Sequence, residues 1–244
     1  MRPTTNRNYL VYCPVKGRQC RGDFFGEDRL YDIAVNDWTG NGDGWDAAEY
    51  VFTTTGHKWP CAKQNLPEIN KKYEYYAFFD YDIAISTSDM NRLFQIGESL
   101  RLDLFQAALC PNSKSAYRHL FARDGSLARS TAFVEIMMPV FSQFALDLCF
   151  ESFGESESGY GLDFYWPRLL EGKNIGVIDA VIASHEGPFE SHNWKLANGL
   201  SPLQELEAFV QSHQFDFHSP PTPIYAPRDS SLRPLGNSSV GSIE

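Results

Sequence analysis

The sequence predicts a single α/β domain with a mostly parallel central sheet flanked by helices. Three observations carry that prediction. Short apolar runs alternate with helix-period patterns along residues 8–185. Most of the runs span five to seven residues rich in Tyr, Phe, Val and Ile, which suit a pleated surface buried on both faces. Several stop at acidic or glycine-rich loops, as strands do when their carboxyl ends feed a crevice.

In chain order, Tyr9–Val15 is the first expected strand, Tyr31–Val35 the second, Tyr50–Thr54 the third and Tyr75–Phe79 the fourth. The loop Thr39-Gly40-Asn41-Gly42-Asp43-Gly44 follows the second. Ser86-Thr87-Ser88-Asp89 supplies helix caps, and Met90, Leu93, Phe94 and Gly97 then fall on one face of a helix reaching about Leu102. Phe105–Leu109 and Ala132–Met137 are expected strands, and Pro139–Phe150 an apolar-faced helix. A turn at Ser158-Gly159-Tyr160-Gly161 leads into a helix from Leu162 or Asp163, and Ile175–Ala183 is the last strand. Ser201 opens a final helical piece with Leu203, Leu206, Phe209 and Val210. Residues 219–244, with five prolines and many serines, read as a flexible or surface-hugging tail, so the domain is expected over residues 1–218.

Composition excludes several function classes. With 43% hydrophobic residues in 244, the chain has ample material for a core. A net charge of −10 argues against binding nucleic-acid polymers or anionic membranes, which require a basic footprint. No stretch approaches the ~20 apolar residues of a membrane span. Cys13, Cys20, Cys61, Cys110 and Cys149 form an odd, scattered set without a CxxC pair, which predicts reduced thiols and a cytoplasmic protein, with Cys13, Cys110 and Cys149 as small core residues. The serine-hydrolase elbow, the phosphate loop and the zinc-protease helix are all missing as motifs.

Four constellations carry chemistry. Asp80-Tyr81-Asp82 ends an apolar strand, where two carboxylates repel unless a cation neutralises them; Mg²⁺ or Mn²⁺ bridging to phosphates is one reading, a helix-capping loop the other. Asp163, after the glycine turn, is placed to take a proton from an acceptor hydroxyl or simply to cap its helix, while Trp166 shares its helix face or enters the core. His185, at the end of the last strand, either completes a metal site with Asp82 or is structural. Lys58, in Gly56-His57-Lys58-Trp59-Pro60 after a strand, either offers charge to phosphates or is an exposed loop lysine with Trp59 packing inward. Asp37 either hydrogen-bonds a base or ribose or caps a turn, and His119 sits in a polar loop open to substrate.

The run Phe133-Val134-Glu135-Ile136-Met137-Met138-Pro139-Val140-Phe141-Ser142, then Gly159-Tyr160-Gly161-Leu162-Asp163, then Asn174-Ile175-Gly176-Val177-Ile178-Asp179 with His185, resembles a domain family of unknown function. Its plant members are called lysine-ketoglutarate reductase trans-splicing related, and the family is similar to the GT-A glycosyltransferase superfamily. Over residues 8–190 the resemblance implies a nucleotide-sugar donor, with Asp80 and Asp82 holding Mn²⁺ or Mg²⁺ against its diphosphate and Asp82 as the direct ligand. It implies Asp163 as the base for a hydroxyl acceptor such as a saccharide, His185 as a metal or diphosphate contact, and Asp37 near the base or ribose. Tyr81 stands where relatives often carry a further acidic residue. Glu135, a charge inside an apolar run, must be paired or face the cleft. The function expected is transfer of a sugar from a nucleoside diphosphate to a hydroxyl. A nucleotidyltransferase on a similar sheet and a non-catalytic saccharide-binding module remain as alternatives.

Overall fold

A computed structural model describes residues 6–17, 19–115, 117–185 and 194–215; the expected tail at 219–244 lies outside the described residues. The strands are β1 (Tyr9–Val15), β2 (Tyr31–Asp37), β3 (Tyr50–Phe52), β4 (Tyr75–Phe78), β5 (Ile83–Ala84), β6 (Leu104–Leu109), β7 (Arg129–Ser130), β8 (Val140–Ser142) and β9 (Ile175–His185). The helices are α1 (Lys58–Asn65), α2 (Thr87–Ser99), α3 (Gln143–Cys149), α4 (Leu162–Leu169) and α5 (Pro202–His213).

The sheet runs β3-β2-β1-β4-β8-β6-β9-β5, with β7 also on β9. Parallel ladders join β3, β2, β1 and β4, and another joins β6 to β9. The antiparallel ladders, including the two through which β8 links β4 to β6, are only two or three residue pairs long. Because β8 is antiparallel to both neighbours, β4 and β6 point the same way, and the long strands all deliver their carboxyl ends to one edge.

Burial on both faces explains why the strands read as continuous apolar runs. Along β1, Tyr9, Val11, Cys13 and Val15 enter one core cluster, while Leu10 and Tyr12 enter the other. The second core is aromatic: Trp59, Phe78, Phe141, Phe153 and Trp166 meet with ring centroids 4.6–5.9 Å apart. Capping follows the sequence signals. Ser86 Oγ accepts from Asp89 N at 3.1 Å, and Ser201 forms a complete capping box with Gln204.

Three expectations are corrected. Residues 132–137 form no strand: a turn from Glu135 to Met138 interrupts them, and the apolar side chains divide between the two cores, Phe133 and Met137 to one and Val134 to the other. Residues 139–150 are not one helix, because Val140–Ser142 is taken up as β8 between β4 and β6, leaving α3 to start at Gln143. Lys58 is not an exposed loop lysine but begins α1 with its side chain largely buried, while Trp59 does pack inward, and Pro60 in the first turn costs no helical hydrogen bond. Cys13 and Cys149 are buried, Cys110 is half-buried, and all five thiols are free. No helix of the described residues is long and apolar enough to cross a membrane.

Candidate functional site

The carboxyl ends of the parallel strands open on a cleft of about 740 Å³. Asp80 follows β4 and is fixed by its backbone, since its N–H donates to Met137 O at 2.9 Å and its carbonyl accepts from Ile83 N. Next, β5 pairs antiparallel with the end of β9, Ile83 opposite His185, and this register sets Asp82 beside the imidazole. His185 Nδ1 donates to Lys114 O at 2.8 Å, and its Nε2 lies 3.2 Å from Asp82 Oδ2. The Asp82 hydrogen bond pushes the His185 pKa up to about 9 against the opposing effect of burial. Burial would raise Asp82, but the His185 hydrogen bond and charge outweigh it and hold that carboxyl below the usual range.

Lys58, at the first turn of α1, reaches across to Asp80 Oδ1 at 2.5 Å and donates to Ile136 O at 2.5 Å. Burial raises the Asp80 carboxyl, with Lys58 pulling the other way and Asp82 adding to the rise. Among the described residues no group of three or more His, Cys, Asp and Glu is arranged to hold a metal ion, so the side chains offer a pair, Asp82 and His185.

The opposite wall is built from the turn before α4. Gly159 has φ +85°, and a Cβ there would fall 2.4 Å from Trp59 Cδ1, so both conformation and close approach demand glycine. Gly161, φ +97°, is the N-cap of α4 and leaves Asp163 in its first turn, 5% exposed. Asp163 accepts from Phe164 N at 3.1 Å. Burial first, and the Glu135 charge second, drive its pKa well above the carboxylate range against the backbone N–H groups nearby. Glu135, on the cleft wall, is pushed up to about 7 by burial, and Ser115 Oγ donates to it weakly at 3.4 Å. Its backbone N–H donates to the buried Gln106 Oε1 at 2.7 Å.

The cleft thus gathers Lys58, Asp80, Asp82, Glu135, Asp163 and His185 from the sequence-level candidates. It does not gather Asp37, Trp166 or His119. Asp37 is fully buried, and its carboxylate accepts from Gly17 N, Thr39 N, Thr39 Oγ1 and Gly42 N at 2.7–3.0 Å. Those hydrogen bonds outweigh burial and lower its pKa, and they commit it to holding its own glycine loop. Trp166 is likewise wholly buried, with Nε1 donating to Ser152 Oγ at 3.1 Å. His119 packs on Tyr117 and Phe133 and does not line the cleft.

Sequence reading missed Trp38, Lys114, Tyr117 and Trp194, which do line it. None carries a motif, and only Trp38, directly after β2, has a strand-end position that points to the crevice.

No family model matches the chain, and no curated protein sequence does. Solved structures do. The mannosyltransferase PcManGT from Pyrobaculum calidifontis, in complex with GDP-Man and Mn²⁺, superposes with a TM-score of 0.55 at 11% identity, over 85% of this chain and 65% of that one. GalNAc-T7 with UDP, GalNAc and Mn²⁺ gives 0.57 at 8%, over 85% of this chain and 48% of the other. S. aureus TarS 1–349 with UDP-GlcNAc gives 0.54 at 10%, over 84% and 72%. The chain therefore spans about two thirds of the mannosyltransferase and under half of GalNAc-T7. Identity this low establishes architecture alone: the fold is that of the GT-A glycosyltransferases.

Proposed function

We propose that this chain is a divalent-metal-dependent glycosyltransferase, moving a sugar from a nucleoside diphosphate donor to a hydroxyl acceptor. The observation that carries the reading is the Asp82–His185 donor pair sharing one cleft with a buried carboxylate, Asp163, at a helix start. The pair suits a metal on its own geometry. Adjacent ligands of an octahedral ion with bonds of about 2.1 Å stand about 3 Å apart, close to the 3.2 Å between Oδ2 and Nε2. His185 already donates its other N–H to a backbone carbonyl, which in neutral imidazole leaves the Nε2 lone pair for a metal. Asp82 and His185 would hold Mn²⁺ or Mg²⁺, and Asp80 lines the same cleft with its carboxylate on Lys58. The ion supplies Lewis-acid stabilisation of the departing diphosphate.

The chain's own residues divide the remaining work. Lys58, tethered to Asp80 and the Ile136 carbonyl, presents its ammonium to phosphate oxygens and offsets the acidity of the cleft. In an inverting transfer Asp163 takes the acceptor's proton, and the burial that raises its pKa makes it a stronger base for that step. The GT-A fold, together with one neighbour solved with GDP-Man and Mn²⁺ and another with UDP, GalNAc and Mn²⁺, supports the transferase reading.

Calorimetric titration with Mn²⁺ and UDP or GDP tests it. Nucleotide binding should require the metal and weaken about 10–100-fold in Asp82→Ala and His185→Ala. Asp163→Asn should bind donor yet fail to transfer. Metal-independent nucleotide binding, or Asp82→Ala binding as the parent does, overturns the reading; turnover of a nucleoside triphosphate instead would make the chain a nucleotidyltransferase.

A further inference from the structure

Two of the five free thiols meet where β1 runs out toward the cleft. Cys13 Sγ and Cys20 Sγ lie 4.0 Å apart, within reach of a weak S–H hydrogen bond. Cys13 is fully buried in β1, while Cys20 is half-buried against the same core cluster, so a reagent in solvent meets Cys20 first. The hydrogen bond from Cys13 lowers the Cys20 pKa against the opposing effect of burial, and burial raises Cys13.

The two sulfurs are held by unequal frames. Cys13 pairs with Val35 on β2, and on the other side of β1 Phe79 N donates to Tyr12 O at 3.0 Å, so this strand is locked between two neighbours. Cys20 lies outside every strand, just after a turn in which Gln19 N donates to Lys16 O at 3.1 Å. A disulfide bond is about 2.05 Å long, so the sulfurs must close by about 2 Å, and Cys20 is the partner free to travel.

Movement at Cys20 is passed to the candidate metal pair. Arg21 N donates to Tyr81 O at 2.7 Å and Asp23 N to Ile85 O at 2.9 Å, with Asp23 bridged to Ser86. Asp82 lies between those two acceptors and directly before β5, whose pairing with β9 sets it 3.2 Å from His185. The connection between the thiols also gives Pro14 and Lys16 to the cleft wall.

We propose that Cys13 and Cys20 are a redox-active thiol pair that closes to a disulfide and, in closing, displaces the segment carrying Asp82. The oxidant is a small-molecule disulfide of the glutathione type. The Cys20 thiolate attacks one of its sulfurs, the S–S bond breaks and one small thiol leaves, which places a mixed disulfide on Cys20. Cys13 then attacks the Cys20 sulfur, the second small thiol leaves, and the Cys13–Cys20 bond remains. Two protons pass from the protein thiols to the leaving groups, and two electrons pass from the protein pair to the oxidant. Access assigns the parts, with Cys20 open to the reagent and Cys13 placed to resolve the adduct. The bridge needs no assumption about function; its effect on the cleft rests on the transferase reading above.

Incubation of the full chain in glutathione buffers of rising oxidised fraction, then trapping of free thiols and peptide mass spectrometry, reads the bridge. A Cys13–Cys20 cross-link should form and reverse with dithiothreitol, leaving Cys61, Cys110 and Cys149 free. Cys13→Ser and Cys13→Ala should stop at glutathione on Cys20, and Cys20→Ser should leave Cys13 unmodified. Hydrogen exchange reads the movement: amides 21, 23 and 83 should exchange faster in the oxidised parent and should not respond to oxidant in Cys20→Ser. Calorimetry with Mn²⁺ and UDP or GDP should find binding about tenfold weaker in the oxidised form. No cross-link in the parent, or glutathione persisting on its Cys20, overturns the thiol pair. A cross-link that leaves exchange at those amides unchanged, or nucleotide affinity equal in the two forms, overturns the coupling to the cleft and spares the transferase reading. Absence of metal-dependent nucleotide binding in both forms overturns the transferase reading, while mapping and exchange still decide the switch.

Discussion

Replacing Glu205 with alanine removes the clamp that holds α5 to the turn presenting Asp163. Glu205 is 7% exposed, and Glu157 N donates to Oε1 at 2.8 Å. Ser158 N at 2.8 Å, Ser156 Oγ at 3.1 Å and the Ser158 hydroxyl donate to Oε2. The hydroxyls have other partners, since Ser156 Oγ also contacts Tyr160 O and Gly159 N and Ser158 Oγ accepts from Tyr160 N. The two backbone N–H groups depend on the carboxylate, and stranding each costs about 1–3 kcal/mol, so the loss should be about 4 kcal/mol. For a chain of this length that lowers the melting temperature by roughly 8–16 °C. Urea unfolding gives the free energy, and hydrogen exchange locates it: amides 157–161 should lose protection before the β-sheet does. Glu205→Gln keeps one oxygen and turns its amide toward a donor, so it should lose about 1–3 kcal/mol. A loss below about 1 kcal/mol in Glu205→Ala, or unchanged exchange at 157–161, would refute the claim that this carboxylate holds the turn.

Two more outcomes follow from named contacts. With the carboxyl of Glu135 raised from 4.5 to about 7, the folded chain retains a proton that the unfolded chain has lost, so metal-free protein should lose stability as pH rises across that window. Asp163 acts in the same direction, and Glu135→Gln should flatten the slope twice over, by removing one group and relieving the charge that helps raise the other; a slope unchanged in urea unfolding from pH 4.5 to 7 contradicts this. At Gly97, inside α2, alanine gains about 1 kcal/mol of helix propensity, yet its Cβ would lie 2.1 Å from Phe105 Cζ in a buried ring. Overpacking should win, with a net loss of about 1–3 kcal/mol by chemical denaturation, and a stabilised Gly97→Ala would show that Phe105 can withdraw.

The segments legible in the sequence are those whose pattern and environment agree. Tyr9–Val15 is apolar at every position because both faces of β1 are buried, and Ser86 and Ser201 announce helices because their hydroxyls satisfy N–H groups the helix cannot. Residues 132–142 defeated the same reasoning. An apolar run is compatible with strand, helix or buried loop, and here β4 and β6 captured three residues for β8 while a turn at Glu135 used the rest to seal two cores.

The site divides along the same line. Asp80, Asp82, Asp163 and His185 could be nominated from sequence because strand ends and glycine turns place polar side chains at a crevice whatever the partners are. What each does depends on partners distant in the chain. Asp37 and Asp82 both follow apolar strands, but Asp37 meets four donors of its own loop, while β5–β9 pairing brings His185 to Asp82 from 103 residues away. Trp166 and Trp194 are indistinguishable by residue type, yet packing buries one beneath Ser152 and leaves the other facing the cleft beside His57. The sequence alone determined the α/β class, the strand ends and the acidic residues available there, because these follow from local periodicity and turn chemistry. Tertiary structure alone decided which carboxylates are saturated, which are desolvated and which face a ligand, because hydrogen-bond saturation and burial are properties of surroundings that the chain assembles only on folding.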